Sequence, residues 1–156
     1  MQTNIINHRL VIIKNMQPFT SKIRVSYSDT DQMGFVHHSN YLKYYESGRW
    51  NLFRHLGMPY KKIEEEGFLL PVVDVQIQYH KPAFYDEVLI IETSLIAFKG
   101  PKLIVGYQLF NEGQELINSA RITLAFISAQ SRKPCKPPMP LLQLWKEHLQ
   151  EDLQTA

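Results

Sequence analysis

Asp29 and Asp31 stand two residues apart in the segment Tyr27–Glu46, YSDTDQMGFVHHSNYLKYYE. Gly34, His37 and His38 follow, and an apolar-periodic run begins at Tyr41. Carboxylates and imidazoles at this spacing could hold a cation, take part in phosphate chemistry, or act on a carbonyl. A calcium loop opening D-x-D-x-x-G needs an oxygen ligand at its fifth position and a bidentate Glu at its twelfth. Those positions hold Met33 and Asn40. A D-x-D phosphatase would place Thr where Met33 stands, on an α/β fold. Adjacent histidines diverge and seldom share a metal, and no third ligand stands at a telling spacing, so no metal is expected.

The surrounding elements must hold these groups in place, and hydrophobic period gives their order. Lys22–Tyr27 alternates and reads as a strand; Ser28–Asn40 is polar and irregular. Tyr41–Leu56 reads as a helix, with Leu42, Tyr45, Leu52, Phe53 and Leu56 on one stripe and Lys43, Ser47, Asn51 and Arg54 opposite. Asn40 is its expected N-cap, and Gly57 and Pro59 its stop. Lys61–Glu66 adds a helical turn. The period then switches to two. In Val73–Tyr79, Val73, Val75, Ile77 and Tyr79 share one face. Glu87–Ala97, Leu103–Phe110 and Glu115–Ile127 are further strands, the last two joined by a hairpin turn at Asn111–Gln114. Pro82 and Pro101 fall in connections. The run SRKPCKPPMP from Ser131 is too proline-rich for a sheet, and Leu141–Leu149 forms a short terminal helix.

One strand, one long helix and then four consecutive strands make an α+β chain with an antiparallel sheet. One helix cannot cover both faces of five strands, so a second copy of the chain is expected over part of the remainder. The length of 156 residues corresponds to about one domain, which typically takes roughly 100–200. The composition, 44% hydrophobic and 21% charged, is globular, and a net charge of +2 is too balanced for nonspecific nucleic-acid binding. The single cysteine, Cys135, excludes an internal disulfide and fits a cytoplasmic location. No run approaches the roughly 20 apolar residues of a membrane span, and Leu10–Ile13 is too short for the apolar core of about 7–15 residues in a secretion signal.

The motif D-x-D-x-x-G-x-V-x-H-x-x-x-Y resembles the hotdog-fold acyl-CoA thioesterases of the 4-hydroxybenzoyl-CoA thioesterase and YbgC-like type. The matching residues are Asp29, Asp31, Gly34, Val36, His38 and Tyr41, then Tyr44, Tyr45 and Glu46. The likeness runs from about Lys22 to Pro138. It implies a hotdog fold, an antiparallel five-stranded sheet wrapped around one long central helix. It also implies hydrolysis of an acyl-CoA thioester to free acid and CoA, with no cofactor beyond the coenzyme A of the substrate. Asp31 matches the family's catalytic aspartate, as nucleophile or as the base that activates water. His38 matches the histidine of the YbgC-type branch, and its backbone N–H the oxyanion donor. Tyr27 matches a tyrosine flanking the site. A helix carboxylate serves some hotdog enzymes, which makes Glu46 a further candidate, though a pair with Arg49 is the plainer account.

Gly34, Val36, Tyr41 and Tyr45 are the expected acyl-side contacts. Lys99, Lys102, Arg132 and Lys133 are the expected contacts to the phosphates of coenzyme A, although each alone reads as a solvated charge. The expected organisation is an N-terminal extension over 1–18, a hotdog domain over 19–138 and a helical tail over 139–156. The unit is a homodimer or homotetramer with sites at the subunit interface. One rival is a hydratase or dehydratase, whose His-containing helix motif is not seen here. The other is a non-enzymatic acyl-CoA binding or sensing protein; such sensors usually append a DNA-binding helical domain, for which the residues before Lys22 are too few.

Overall fold

The computed structural model describes residues 11–13 and 17–154. Its strands are β1 (Val11–Ile12), β2 (Phe19–Arg24), β3 (Phe68–Leu69), β4 (Val72–Tyr79), β5 (Val88–Lys99), β6 (Lys102–Phe110), β7 (Leu116–Ala125) and β8 (Ile127–Ser128). Its α-helices are α1 (Tyr41–His55), α2 (Tyr60–Glu65) and α3 (Met139–Gln154). The main sheet is antiparallel. The strands lie in the order β2–β5–β6–β7–β4, with the two-residue β1 also paired to β5 beside β2. A second sheet of two strands joins β3 to β8. The sheet with α1 against its inner face is the hotdog fold expected from the sequence. Of the expected extension over 1–18, residues 1–10 and 14–16 lie outside the described residues.

The strongest period-two segments became the central strands. In β5 inward residues such as Leu89, Ile91, Thr93 and Leu95 are fully buried, as are Leu103, Val105 and Leu109 in β6. The hairpin at Asn111 forms as expected: Asn111 Oδ1 accepts the Glu115 N–H at 2.9 Å, and Gln114 adopts φ 62°. The first long strand sits three residues earlier than the sequence suggested, at Phe19–Arg24 instead of Lys22–Tyr27. The Ser26 N–H turns to the Asp29 carboxylate at 3.2 Å, which draws Tyr27–Asp29 into a 3₁₀ turn. Strands β3 and β8, two residues each, are too short to show a period.

Helix α1 ends one residue sooner than expected, and of the expected stripe Tyr45, Leu52, Phe53 and Leu56 are buried while Leu42 faces out. Tyr41, Tyr44, Tyr45, Gly48, Arg49, Leu52 and Phe53 are buried, whereas Leu42 is 40% exposed. Gly48 is the reason. A Cβ built on it would lie 2.7 Å from Thr93 Oγ1 and 2.8 Å from Ile91 Cγ2. The helix backbone therefore rests on the Thr93 and Ile91 side chains of β5, and the face centred on Gly48 is the one that turns inward. Helix α3 extends the expected terminal helix at both ends; Pro140 suits its first turn, where no intrahelical N–H is required. Trp145 packs into the same core, with ring centroids 5.0 Å from Phe53 and 5.7 Å from Phe98.

Strand β4 is the exception to the burial of the sheet. A register shift at Val73 leaves that residue without a partner on β7. Val75 and Tyr79 are paired with the buried Ile122 and Asn118, which puts them on the helix side. They remain 37% and 51% exposed, because α1 rests chiefly on β5 and β2.

The contact at Gly48 is testable. Gly48→Ala forces the helix off β5 and lowers unfolding stability by roughly 1–3 kcal/mol, the range for overpacking, as read by urea denaturation. Adding Thr93→Ala recovers part of the loss. A Gly48→Ala protein as stable as its parent would show that the helix has room to spare.

Candidate functional site

The segment between β2 and α1 folds into a miniature hairpin. Thr30 bridges Val36. The His37 N–H donates to Asp29 O at 2.9 Å, and the Asp31 N–H to Phe35 O at 3.1 Å. Gly34, at φ 85°, supplies the left-handed conformation at the tip, and its N–H returns to Asp31 O at 3.0 Å. Val36 is the anchor. It is buried, and its N–H donates to Ala83 O at 2.9 Å.

The two aspartates divide their tasks. Asp29 Oδ2 accepts the Tyr44 hydroxyl at 2.8 Å and the Ser26 N–H at 3.2 Å. Its carbonyl accepts the Asn40 side-chain amide at 2.8 Å in addition to the His37 N–H. The Asp31 carboxylate accepts only the Met33 N–H, at 2.8 Å through Oδ1, among the described residues. One of its oxygens is therefore uncommitted.

At the helix entry, His37 and not Asn40 performs the capping. His37 Nδ1 accepts the Ser39 N–H at 3.2 Å, and a 3₁₀ turn over His38–Asn40 leads into α1. The Asn40 side chain makes no cap bond to α1; its Nδ2 donates to Asp29 O instead. The His38 N–H has no protein acceptor among the described residues. The His38 carbonyl accepts the Tyr79 hydroxyl at 3.0 Å. The His37 and His38 rings lie 4.1 Å apart, but no cluster of three metal-ligating side chains forms among the described residues. Tyr41 meets Tyr79 edge-on at 5.5 Å and Tyr44 at 6.0 Å, so the helix start is walled by tyrosines.

A free carboxylate oxygen on the loop that leads to an unpaired amide at a helix start is equipment for acting on a carbonyl. The thioesterase-like superfamily model matches residues 25–153. The chain belongs to the thioesterase-like superfamily. The Bacillus subtilis (strain 168) protein YneP is 40% identical over 113 residues, which span 72% of this chain and 82% of that one. The acyl-CoA thioester hydrolase YbgC of Escherichia coli O6:H1 is 27% identical over 133 residues, 85% of this chain and 99% of the relative. A solved DHNA-CoA thioesterase from Staphylococcus aureus superposes with a TM-score of 0.80 at 28% identity, covering 87% of this chain and 93% of that one.

In this thioesterase-like chain, Asp31, Gly34, Val36, His38 and Tyr41 gather at one end of the sheet. Tyr45 lies deeper under α1, fully buried, with its hydroxyl on Asn118 Oδ1. Tyr27 stands over this end but is 77% exposed, edge-on to Tyr85 at 5.5 Å. Glu46 is exposed and makes no ion pair with Arg49 among the described residues; Arg49 turns inward to the Tyr107 hydroxyl at 2.9 Å. The four cations lie elsewhere. Lys99 and Lys102 face each other across the β5–β6 turn. Arg132 and Lys133 sit in a turn closed onto Ser128. The Lys99–Lys102 turn lies at the far end of the 12-residue β5 from the Asp31 loop. Sequence reasoning missed Tyr79, which reaches the His38 carbonyl from a distant strand, and the capping role of His37, a local bond to Ser39 two residues on.

The tyrosine wall has a pH signature. Burial holds the phenols of Tyr41, Tyr44, Tyr45, Tyr60 and Tyr107 above their ordinary value, and for Tyr44 the Asp29 carboxylate adds to the effect. The folded state therefore keeps protons that the unfolded chain releases near pH 10. The stability this provides is complete below about pH 10 and is lost as the pH climbs above it. In an alkaline titration these phenols ionise together with the loss of the far-ultraviolet circular dichroism signal. Ionisation of every tyrosine with that signal intact would contradict it.

Proposed function

We propose that this thioesterase-superfamily enzyme hydrolyses an acyl-CoA thioester to the free acid and coenzyme A, with Asp31 and the entry to α1 as its working parts. The observation that carries the reading is the uncommitted oxygen of Asp31 on the loop that ends at the unpaired His38 amide. Asp31 attacks the thioester carbon or takes the proton of a water that does. The His38 N–H, with the positive end of the helix, stabilises the oxygen that becomes negative. The thiolate is a good leaving group, so the step demands no strong general acid and no metal or redox cofactor. Tyr27 and Glu46, both exposed, flank the site in this reading. Gly34 and Val36 shape the loop, and Tyr41 and Tyr45 wall the acyl side. The lone, unpaired Cys135 suits a cytoplasmic enzyme. No helix of the described residues is long and apolar enough to cross a membrane.

A second copy of the chain completes the site in this reading. Strand β4 ends the sheet with an unpaired edge, and carries Val72, Val73, Val75 and Tyr79 in exposed positions. Exposed edge strands with apolar side chains invite pairing. Antiparallel pairing of β4 with its copy reverses the ends of the sheet. It would bring the partner's Lys99–Lys102 and Arg132–Lys133 turns toward this chain's Asp31 loop, where the diphosphate of coenzyme A needs cations. Placing Lys on that edge, as in Val75→Lys, is expected to yield a monomer by sedimentation and to lower turnover with it. A monomeric parent protein with full activity would remove the partner from the site.

Thiol release from acyl-CoA, followed with a thiol reagent, separates a hydrolase from a protein that only binds or senses acyl-CoA. A screen of short, long and aromatic acyl groups identifies the substrate. Asp31→Asn, nearly isosteric, keeps the fold and loses about 10²-fold or more in kcat, the scale of a positioned base or nucleophile. Turnover within a few-fold of the parent would exclude Asp31. His38→Ala separates the amide from the ring. Loss of about 10–10³-fold, the range for one positioned polar group, assigns a role to the imidazole, and this is the expected result. Near-parental turnover leaves the backbone N–H as the donor.

A further inference from the structure

Asp29 receives four donors from four separate pieces of chain. Ser26, just past β2, and Tyr44, in the second turn of α1, donate to its carboxylate; His37, on the returning arm of the loop, and Asn40, at the helix entry, donate to its carbonyl. Asp29 is half-buried, whereas Tyr44 is 2% exposed. Burial and the neighbouring carboxylate both keep the Tyr44 phenol protonated, and so a donor. Asp31 shares none of these four partners.

We propose that Asp29 and Tyr44 are a positioning pair for the reaction, their hydrogen bond fixing where the Asp31 carboxylate stands relative to the helix-start amide. This rests on the reading that Asp31 and the His38 amide perform the hydrolysis. The physical argument is the path of the chain. Asp31 is two residues from Asp29 along the outgoing arm, and His38 follows the His37 N–H that Asp29 O accepts. Both groups hang from the same residue, and Tyr44 is its only side-chain link to the second turn of α1. Without that link the loop keeps its backbone bridges but gains freedom to slide along the helix end. A displacement of about 1 Å at a reacting group can cost on the order of 10²-fold in rate. Neither Asp29 nor Tyr44 touches the substrate; the pair acts through Asp31 and His38.

The test uses Tyr44→Phe, which removes one oxygen from a buried ring, and Asp29→Glu, which keeps the charge and the acceptor but moves them by one methylene. Both variants are compared with the parent and with Asp31→Asn under saturating acyl-CoA. The expected result is a drop in kcat of about 10–100-fold in each, from misplacement of the reacting groups, with KM changed by less than about threefold because substrate contacts are untouched. The acid limb of the kcat–pH profile stays where the parent has it, since Asp29 is not the titrating base. The double variant Asp29→Glu/Tyr44→Phe falls no further than the worse single one, as for two groups acting through one bond. A folded Tyr44→Phe protein with kcat within twofold of the parent, while Asp31→Asn is inactive, overturns the positioning pair and leaves the hydrolase reading intact. Loss or displacement of the acid limb in Asp29→Glu also overturns it, because Asp29 would then be the chemical carboxylate. An active Asp31→Asn protein is the separate result that removes the hydrolase reading itself, and the pair with it.

Discussion

A helix whose backbone rests on side chains of the sheet sets the geometry of this protein. At Gly48 the backbone of α1 approaches the Thr93 and Ile91 side chains so closely that one carbon would not fit. That contact marks the face of the helix that turns inward. Tyr41, Tyr44 and Tyr45 turn inward. Arg49 is carried under the helix, where the Tyr107 hydroxyl is its partner. Leu42 and Trp50, apolar by type, are left partly outside. The contact also fixes the height of the helix entry above the end of the sheet, which is where the Asp31 loop has to arrive.

The loop meets that entry through polar bonds, not apolar packing. Val36 alone among the loop residues 30–36 is fully buried; the rest is held by hydrogen bonds to carbonyls and to one carboxylate. Such a loop is stiff because its donors and acceptors are matched, so few alternative arrangements satisfy them equally. The result is a polar, partly exposed strip set on an apolar frame, with helix and sheet beneath it.

Much of this was legible in the sequence. The period-two runs of β5, β6 and β7 and the turn at Asn111 read correctly because each is long or carries its own turn chemistry. The hotdog fold and the identity of the loop were legible through the D-x-D-x-x-G motif and its likeness to known thioesterases. What did not read through depends on crossings between distant segments. Tyr79 reaches the helix entry from a strand far along the chain. Leu42 looks like a core residue until the contact at Gly48 marks which face goes down. The distance between the cations and Asp31 could not be seen either, since it is set by the length of a strand that lies between them in space, not by their order in sequence.

Trp145 fills the gap between Phe53 and Phe98, and it follows every strand in the chain. During synthesis α1 emerges long before β5, and the site that Trp145 occupies stays open until almost everything else has been made. Strand β2 must likewise wait for β5, since Phe19 pairs with Thr93. The first third of the polypeptide therefore leaves the ribosome with its tyrosine face uncovered and no means to cover it. A chain arranged this way completes its interior only after the last helix arrives, and a nascent fragment that stops short of Trp145 is exposed to the aggregation that accompanies uncovered apolar surface.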